Sequence, residues 1–194
     1  VCSDDLDPVC ERLIRAIGIA DPFRRRMYVL GVVTRALESD GVAAPILVGG
    51  GAVDFYTLGG YATQDIDVVI AARDKLDAVL RELGFSKERG QRHWYSPDLD
   101  VAIEAQDDTL AGSLERVAVV DVDDLQVQVI GIEDLIMDRL RGYVHWQSIS
   151  DREWAGRLTA LHEASIDWEY LNYRAKTEGL LEALDSVSRE CGFS

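Results

Sequence analysis

The sequence predicts an α/β chain (α+β in the way its elements segregate), with a mixed sheet at its centre and helices at both ends. Three observations predict it. Apolar runs short enough for buried strands occur at Ile46–Val48, Val68–Ile70 and around Val127–Ile130. Segments with helical spacing precede them, as in Met27, Leu30, Val33, Ala36 and Leu37. A further helical stretch runs from Ile132 to the C-terminus.

The elements follow in order. Residues 1–43 read as an N-terminal helical segment: Val9–Ile17, a break at Ala20-Asp21-Pro22, then Phe23–Glu38. Residues 44–131 read as the αβ core, with a helix at Asp74–Leu83 stopped by Gly84 and a strand at Gln126–Ile130. Between them, Arg92–Glu104 reads as a hairpin turning at Ser96-Pro97-Asp98. Residues 132–194 read as a C-terminal helical segment with helices at Ile132–Val144, Ser150–Ala164 and Asp167–Glu190. Ser150 and Glu153 have the spacing of a capping box.

Composition limits the function classes. At 194 residues the chain makes one core, with room for a helical appendage. No apolar run approaches the length needed to span a membrane, and no signal peptide is visible, so a cytoplasmic protein is expected. Cys2, Cys10 and Cys191 lack metal-ligand spacing and read as reduced thiols, and His93, His145 and His162 read as structural. A net charge of −15 argues against a general nucleic-acid binder, which would be basic. The densest basic run, Arg24-Arg25-Arg26, reads either as a solvated helix face or as a contact to phosphate or acceptor.

Chemistry concentrates in residues 46–70, ILVGGGAVDFYTLGGYATQDIDVVI. The strand Ile46-Leu47-Val48 ends in Gly49-Gly50-Gly51, and a short helix follows, expected to start near Ala52. Glycine lets backbone approach a ligand, and a helix N-terminus aims free N–H groups and a positive dipole end at phosphate. Asp65 and Asp67 open the next strand on one face, roughly 6.5–7 Å apart. Two adjacent carboxylates repel, and a hard cation such as Mg²⁺ relieves that repulsion. A dinucleotide fingerprint is the competing interpretation, but it needs glycine at position 54, where this chain has Asp54.

A glycine pair followed by Asp-Ile-Asp resembles the nucleotidyltransferase superfamily typified by DNA polymerase beta. Fourteen residues separate Gly50 from Asp65, and thirteen separate Gly51 from it. Gly49, Gly50, Ala52 and Val53, with Thr63 ahead of the acids, resemble the small bacterial branch that includes the AbiEii toxins. The resemblance implies a nucleotidyltransferase-type mixed sheet and transfer of a nucleotide monophosphate from an NTP to a hydroxyl. It implies two Mg²⁺ ions on Asp65, Asp67 and a third acid. Leu99-Asp100-Val101 matches the third-acid pattern, so Asp100 is the expected ligand and proton acceptor, while Asp98 and Glu104 are expected on an exposed strand face. It assigns nucleotide contacts to Gly49, Gly50, Gly51 and Thr63.

Farther on, Glu133-Asp134-Leu135-Ile136 with Arg139, and then Asp151, resemble the helices that grip the nucleotide in that branch. Gln147 and Ser150 stand where basic residues are usual. The acceptor is left open among a tRNA end, a protein hydroxyl and a small cationic molecule of aminoglycoside type, with a toxin role and an antitoxin protein as the partner implied by the branch. A non-catalytic nucleotide- or partner-binding module on the same fold is the alternative class.

Overall fold

The computed structural model describes residues 8–190. Two helices come first among the described residues: α1 at Pro8–Ile17 and α2 at Pro22–Ser39. Asp21 caps α2 by accepting a hydrogen bond from the Arg24 amide at 2.6 Å, and Pro22 has no N–H to leave unpaired at the first helical position. Strand β1 (Ile46–Leu47) runs into α3 (Gly49–Tyr56), and β2 (Asp65–Val69) into α4 (Arg73–Glu82). Then come β3 (Trp94–Ser96), β4 (Val101–Asp107), a 3₁₀ turn at Leu114–Arg116, β5 (Ala118–Val122) and β6 (Leu125–Val129). Helices α5 (Ile132–Trp146), α6 (Ile149–His162), α7 (Trp168–Thr177) and α8 (Leu181–Glu190) complete it.

The six strands form one mixed sheet in the order β3-β4-β2-β1-β6-β5. Strands β2 and β4 are parallel, as are β1 and β6, and the other neighbours are antiparallel. Alternation sends Ile66, Val68, Val101 and Ile103 into the core and leaves Asp65 and Asp67 on the opposite face. Helix α4 covers the core face: the Trp94 indole, in register with Ile103, donates to Asp77 at 2.6 Å. Helix α2 also packs on that side, and Gly31 permits the approach, since a Cβ there would lie 2.8 Å from Leu125 Cβ.

The predicted elements are present, with four differences. Strand β5 was not anticipated; it hairpins onto β6 through Asp123, whose φ of 56° suits a tight turn. Helix α3 begins at Gly49, so the glycines form its first turn instead of preceding it. The cap of α6 lies two residues ahead of the expected one: Ser148, not Ser150, accepts from the Asp151 amide at 3.1 Å. The long final helix is two helices, broken where Gly179 adopts φ +71°. Cys2 and Cys191 lie outside the described residues, as does the side chain of Cys10. Among the described residues, no helix is long and apolar enough to cross a membrane.

Glu133 and Asp134 do more than complement a helix dipole. Asp134 is fully buried and accepts from the Ser113 amide (2.8 Å), the Tyr170 hydroxyl (2.9 Å) and Arg174 (2.8 Å). Glu133 accepts from the Asp167 amide at 2.9 Å, just where α7 starts. Both acids therefore lock α7 onto α5. Breaking a buried ion pair from one side leaves an uncompensated charge, so Asp134→Ala is expected to lower unfolding free energy by about 3–5 kcal/mol in urea titrations. A loss below about 1 kcal/mol would mean that α7 is held by its apolar contacts alone.

The neighbouring Glu178 is held below the usual carboxylate range by hydrogen bonds from Arg141 and then from Arg174. A lowered folded-state value makes its stabilisation complete above the unfolded carboxyl range and lost as pH falls through the lowered value. Glu178→Gln should therefore melt below the parent at pH 7, with the gap closing in acid. A gap that persists unchanged at acid pH would contradict this.

Candidate active site on the polar face of the sheet

Asp65 and Asp67 stand where the alternation of β2 puts them, side by side on the polar face. Their neighbours come from β4, through the parallel ladder that sets Asp65 against Ala102 and Asp67 against Glu104. Strand β3 adds Tyr95 opposite Ala102. The face thus carries two rungs: Tyr95, Ala102 and Asp65 on one, Glu104 and Asp67 on the next.

Glu104 is a residue that sequence reasoning misplaced. It is only 5% exposed, not part of an exposed strand face, and it lies beside Asp67 at a strand spacing of about 4.8 Å. Arg92 Nε is 2.7 Å from Glu104 Oε1, and His93 Nδ1 is 3.1 Å from Oε2 and 3.9 Å from Asp65. The Arg92 contact is an ion pair poorly aligned for hydrogen bonding, because Oε1 has no hydrogen-bond partner. His93 is therefore part of the acidic centre, not a remote structural histidine. Asp67 accepts from Gln106 Nε2 at 2.8 Å.

Asp100 lies elsewhere. It precedes β4, with φ of 50° in the turn, and its Oδ1 accepts from the Tyr95 hydroxyl at 3.1 Å. That hydrogen bond raises the Tyr95 phenol above its usual value. Asp100 and Asp65 line the same groove, but Asp100 is not on a rung with either strand acid.

The glycines earn their place individually. Gly49 has φ +57°, and a Cβ there would lie 2.5 Å from Asp67 Oδ2. The Val48 amide donates to the Asp67 carbonyl at 2.9 Å, so the start of α3 is pinned to the acid strand. No side chain caps α3, and the first N–H groups of a helix have no intrahelical acceptor. Gly50 faces Tyr61 and Thr63, whose Oγ1 would be 3.2 Å from an added Cβ. Tyr61 in turn packs edge-on against Trp154 of α6.

Arg139 and Asp151 are brought together, Nη1 to Oδ1 at 2.8 Å, and Arg139 also pairs with Asp138 at 2.5 Å. Burial opposes the charge of Arg139, but the two acids more than offset it, and its value rises. Gly142 makes room for Asp151: a Cβ there would lie 2.4 Å from its Oδ2. The arginine triplet splits three ways. Arg24 pairs with Asp123, Arg26 with buried Asp54 at 2.5 Å, and Arg25 faces the groove.

That groove has a volume of about 970 Å³ and runs along Asp65 from the N-terminus of α2 to β3. Asp65, Asp67 and Glu104 are hard oxygen donors on one face, and Glu104 Oε1 has an unfilled hydrogen-bonding position, which suits Mg²⁺. Among the described residues, no group of three or more acid, histidine or cysteine side chains is drawn together as a metal would draw them. The protein's own Arg92, His93 and Gln106 occupy these carboxylates.

No family model matches the chain, and no curated protein sequence matches it. Solved structures do. A crystal structure of an antigenic nucleotidyltransferase-like protein from Paracoccidioides brasiliensis superposes with a TM-score of 0.56 at 16% identity, covering 86% of this chain and 93% of that one. The solution structure of the antibiotic-resistance factor ANT(2″)-Ia gives a TM-score of 0.48 at 15% identity, over 79% and 88%. The mixed sheet flanked by helices is thus a nucleotidyltransferase-like fold.

Gly49→Ala should cost about 1–2 kcal/mol for its left-handed backbone alone and should displace Asp67 as well. Urea unfolding checks it; unchanged stability would show that Gly49 does not need its positive φ.

Proposed function

We propose that this chain transfers a nucleotide monophosphate from an NTP to a hydroxyl acceptor, with a divalent cation, on the polar face of its sheet. The observation that carries this is the position of Gly49: the start of α3, which no side chain caps, lies against Asp67, an acid that has Glu104 at its side. In this proposal Asp65, Asp67 and Glu104 hold Mg²⁺, with Glu104 replacing Asp100 as the third ligand because the β2–β4 register favours it. Bound there, the cations would activate the attacking oxygen and neutralise the leaving phosphates.

The chain's own residues do the rest. The N–H groups of Gly49, Gly50 and Gly51 donate to the triphosphate oxygens at the helix end, with Thr63 beside Gly50. The acceptor oxygen bonds to the α-phosphorus, pyrophosphate leaves, and the hydroxyl proton passes to water in the open groove. Arg139 and Asp151 act as a pair that holds α6 beside Tyr61, since Arg139 is already committed to two acids. Positioning and charge compensation supply the acceleration.

The AbiEii-like branch, a toxin role, an antitoxin partner and a cytoplasmic location rest on sequence pattern alone. A binding module without catalysis is the second reading, favoured by the occupation of Glu104 and Arg139 by protein partners.

The test is label transfer from each of the four α-³²P-labelled NTPs with Mg²⁺ into tRNA, lysate protein or amine-bearing small molecules. Asp67→Asn should lower transfer at least about a hundredfold, as losses of positioned charge do. Equal labelling by the variant would move the reaction away from β2; NTP binding without labelling anywhere would support the binding module.

A further inference from the structure

Glu104 is reached from outside the sheet by the loop between α4 and β3. Both ends of that loop are pinned. The Ser86 amide donates to the Tyr95 carbonyl at 2.9 Å, the Tyr95 amide donates to the Ser86 carbonyl at 2.8 Å, and Trp94 is buried with its indole on Asp77. Between these ends residues 87–92 are all exposed and turn at Gly90, whose φ is +89°. Exposed backbone between fixed ends lets the tip move without unseating β3. Arg92 and His93 reach inward from the tip to Glu104.

The Arg92–Glu104 pair is lopsided. The Arg92 side chain is 68% exposed and that of Glu104 is 6% exposed. Nε lies 2.7 Å from Oε1, yet Oε1 makes no hydrogen bond. Charge, not directional bonding, holds the two together. A carboxylate this buried needs a counter-charge, because stranding it is costly. An arginine this exposed loses little on leaving, since water and salt screen its side of the pair. Arg92 is therefore a displaceable counter-ion.

What displaces it decides what the site accepts. A bare divalent cation at Glu104 takes the carboxylate from Arg92 and repels the guanidinium left beside it. A cation that arrives on a triphosphate also brings anionic oxygens, and a guanidinium forks well onto phosphate. Every charge then keeps a partner. Resting on the nucleotidyl-transfer reading, in which Glu104 is a cation ligand, we infer that Arg92 is a specificity-determining residue. In the free protein it closes Glu104 to bare divalent cations, and it passes from Glu104 to the phosphates when the cation arrives as a metal–triphosphate complex. The ion pair that fills Glu104 thus belongs to the resting state of the site.

The probes are Mn²⁺ and its preformed complex with inorganic tripolyphosphate. Each is titrated by calorimetry into the full chain at about 0.15 M salt, where exposed charges are screened beyond roughly 8 Å. The parent should bind the complex at least tenfold more tightly than the bare ion. Arg92→Gln should bind bare Mn²⁺ at least threefold more tightly than the parent and the complex at least tenfold more weakly. Arg89→Gln removes the same charge from an exposed residue of the same loop and should leave both affinities within twofold. A purely structural ion pair would not move the two probes in opposite directions.

The inference is overturned if the parent does not prefer the complex, if Arg92→Gln leaves either probe unchanged or moves both the same way, or if Arg89→Gln reproduces its effect. Failure of the nucleotidyl-transfer reading looks different: Asp67→Asn would then bind both probes as the parent does, whatever Arg92→Gln does.

Discussion

The parallel ladder between β2 and β4 is the constraint on which the rest of the site depends. Backbone hydrogen bonds, not side-chain attraction, bring Asp67 against Glu104 and Asp65 against Ala102. Left to themselves the carboxylates would repel. The fold holds them because Ile66, Val68, Val101 and Ile103 on the other side of the same strands are buried in the core. A slip of one residue would turn those four to water and bury the acids, so apolar burial fixes the register that gathers the charge.

Charge compensation then shapes the surroundings. Arg92 and His93 meet Glu104, Gln106 meets Asp67, and Arg26 meets Asp54. Farther out, Arg174 and Arg141 meet Asp134 and Glu178 and so seat the C-terminal helices on α5. A chain with net charge −15 therefore spends its arginines close to its buried acids, and the groove beside Asp65 is left acidic.

Much of this was legible in the sequence. The glycine run, the Asp-Ile-Asp strand and the Arg92–Glu104 hairpin were readable because each is local: strand alternation and turn chemistry are set within a few residues. Glu104 was placed on an exposed face because its own hairpin shows only which side of the strand it is on, whereas its decisive neighbour, Asp67, lies across a ladder whose register no local pattern specifies. His93 was missed for the same reason. Ser148 and Ser150 are both competent caps, and only the course of the chain after Gln147, which takes φ of 54°, selects the first. Strand β5, Ala118–Val122, is half exposed and short, and its signal is a pairing partner, β6, which it finds only in the hairpin.

The measurement that bears most directly on this account is Mn²⁺ binding to Glu104→Gln, read by electron paramagnetic resonance beside the parent protein. Glutamine keeps the size of the side chain and removes its charge. If the β2–β4 register builds the cation site, the variant stays folded and loses at least tenfold in Mn²⁺ affinity. Parent-like affinity in the folded variant would contradict it and detach Glu104 from the metal.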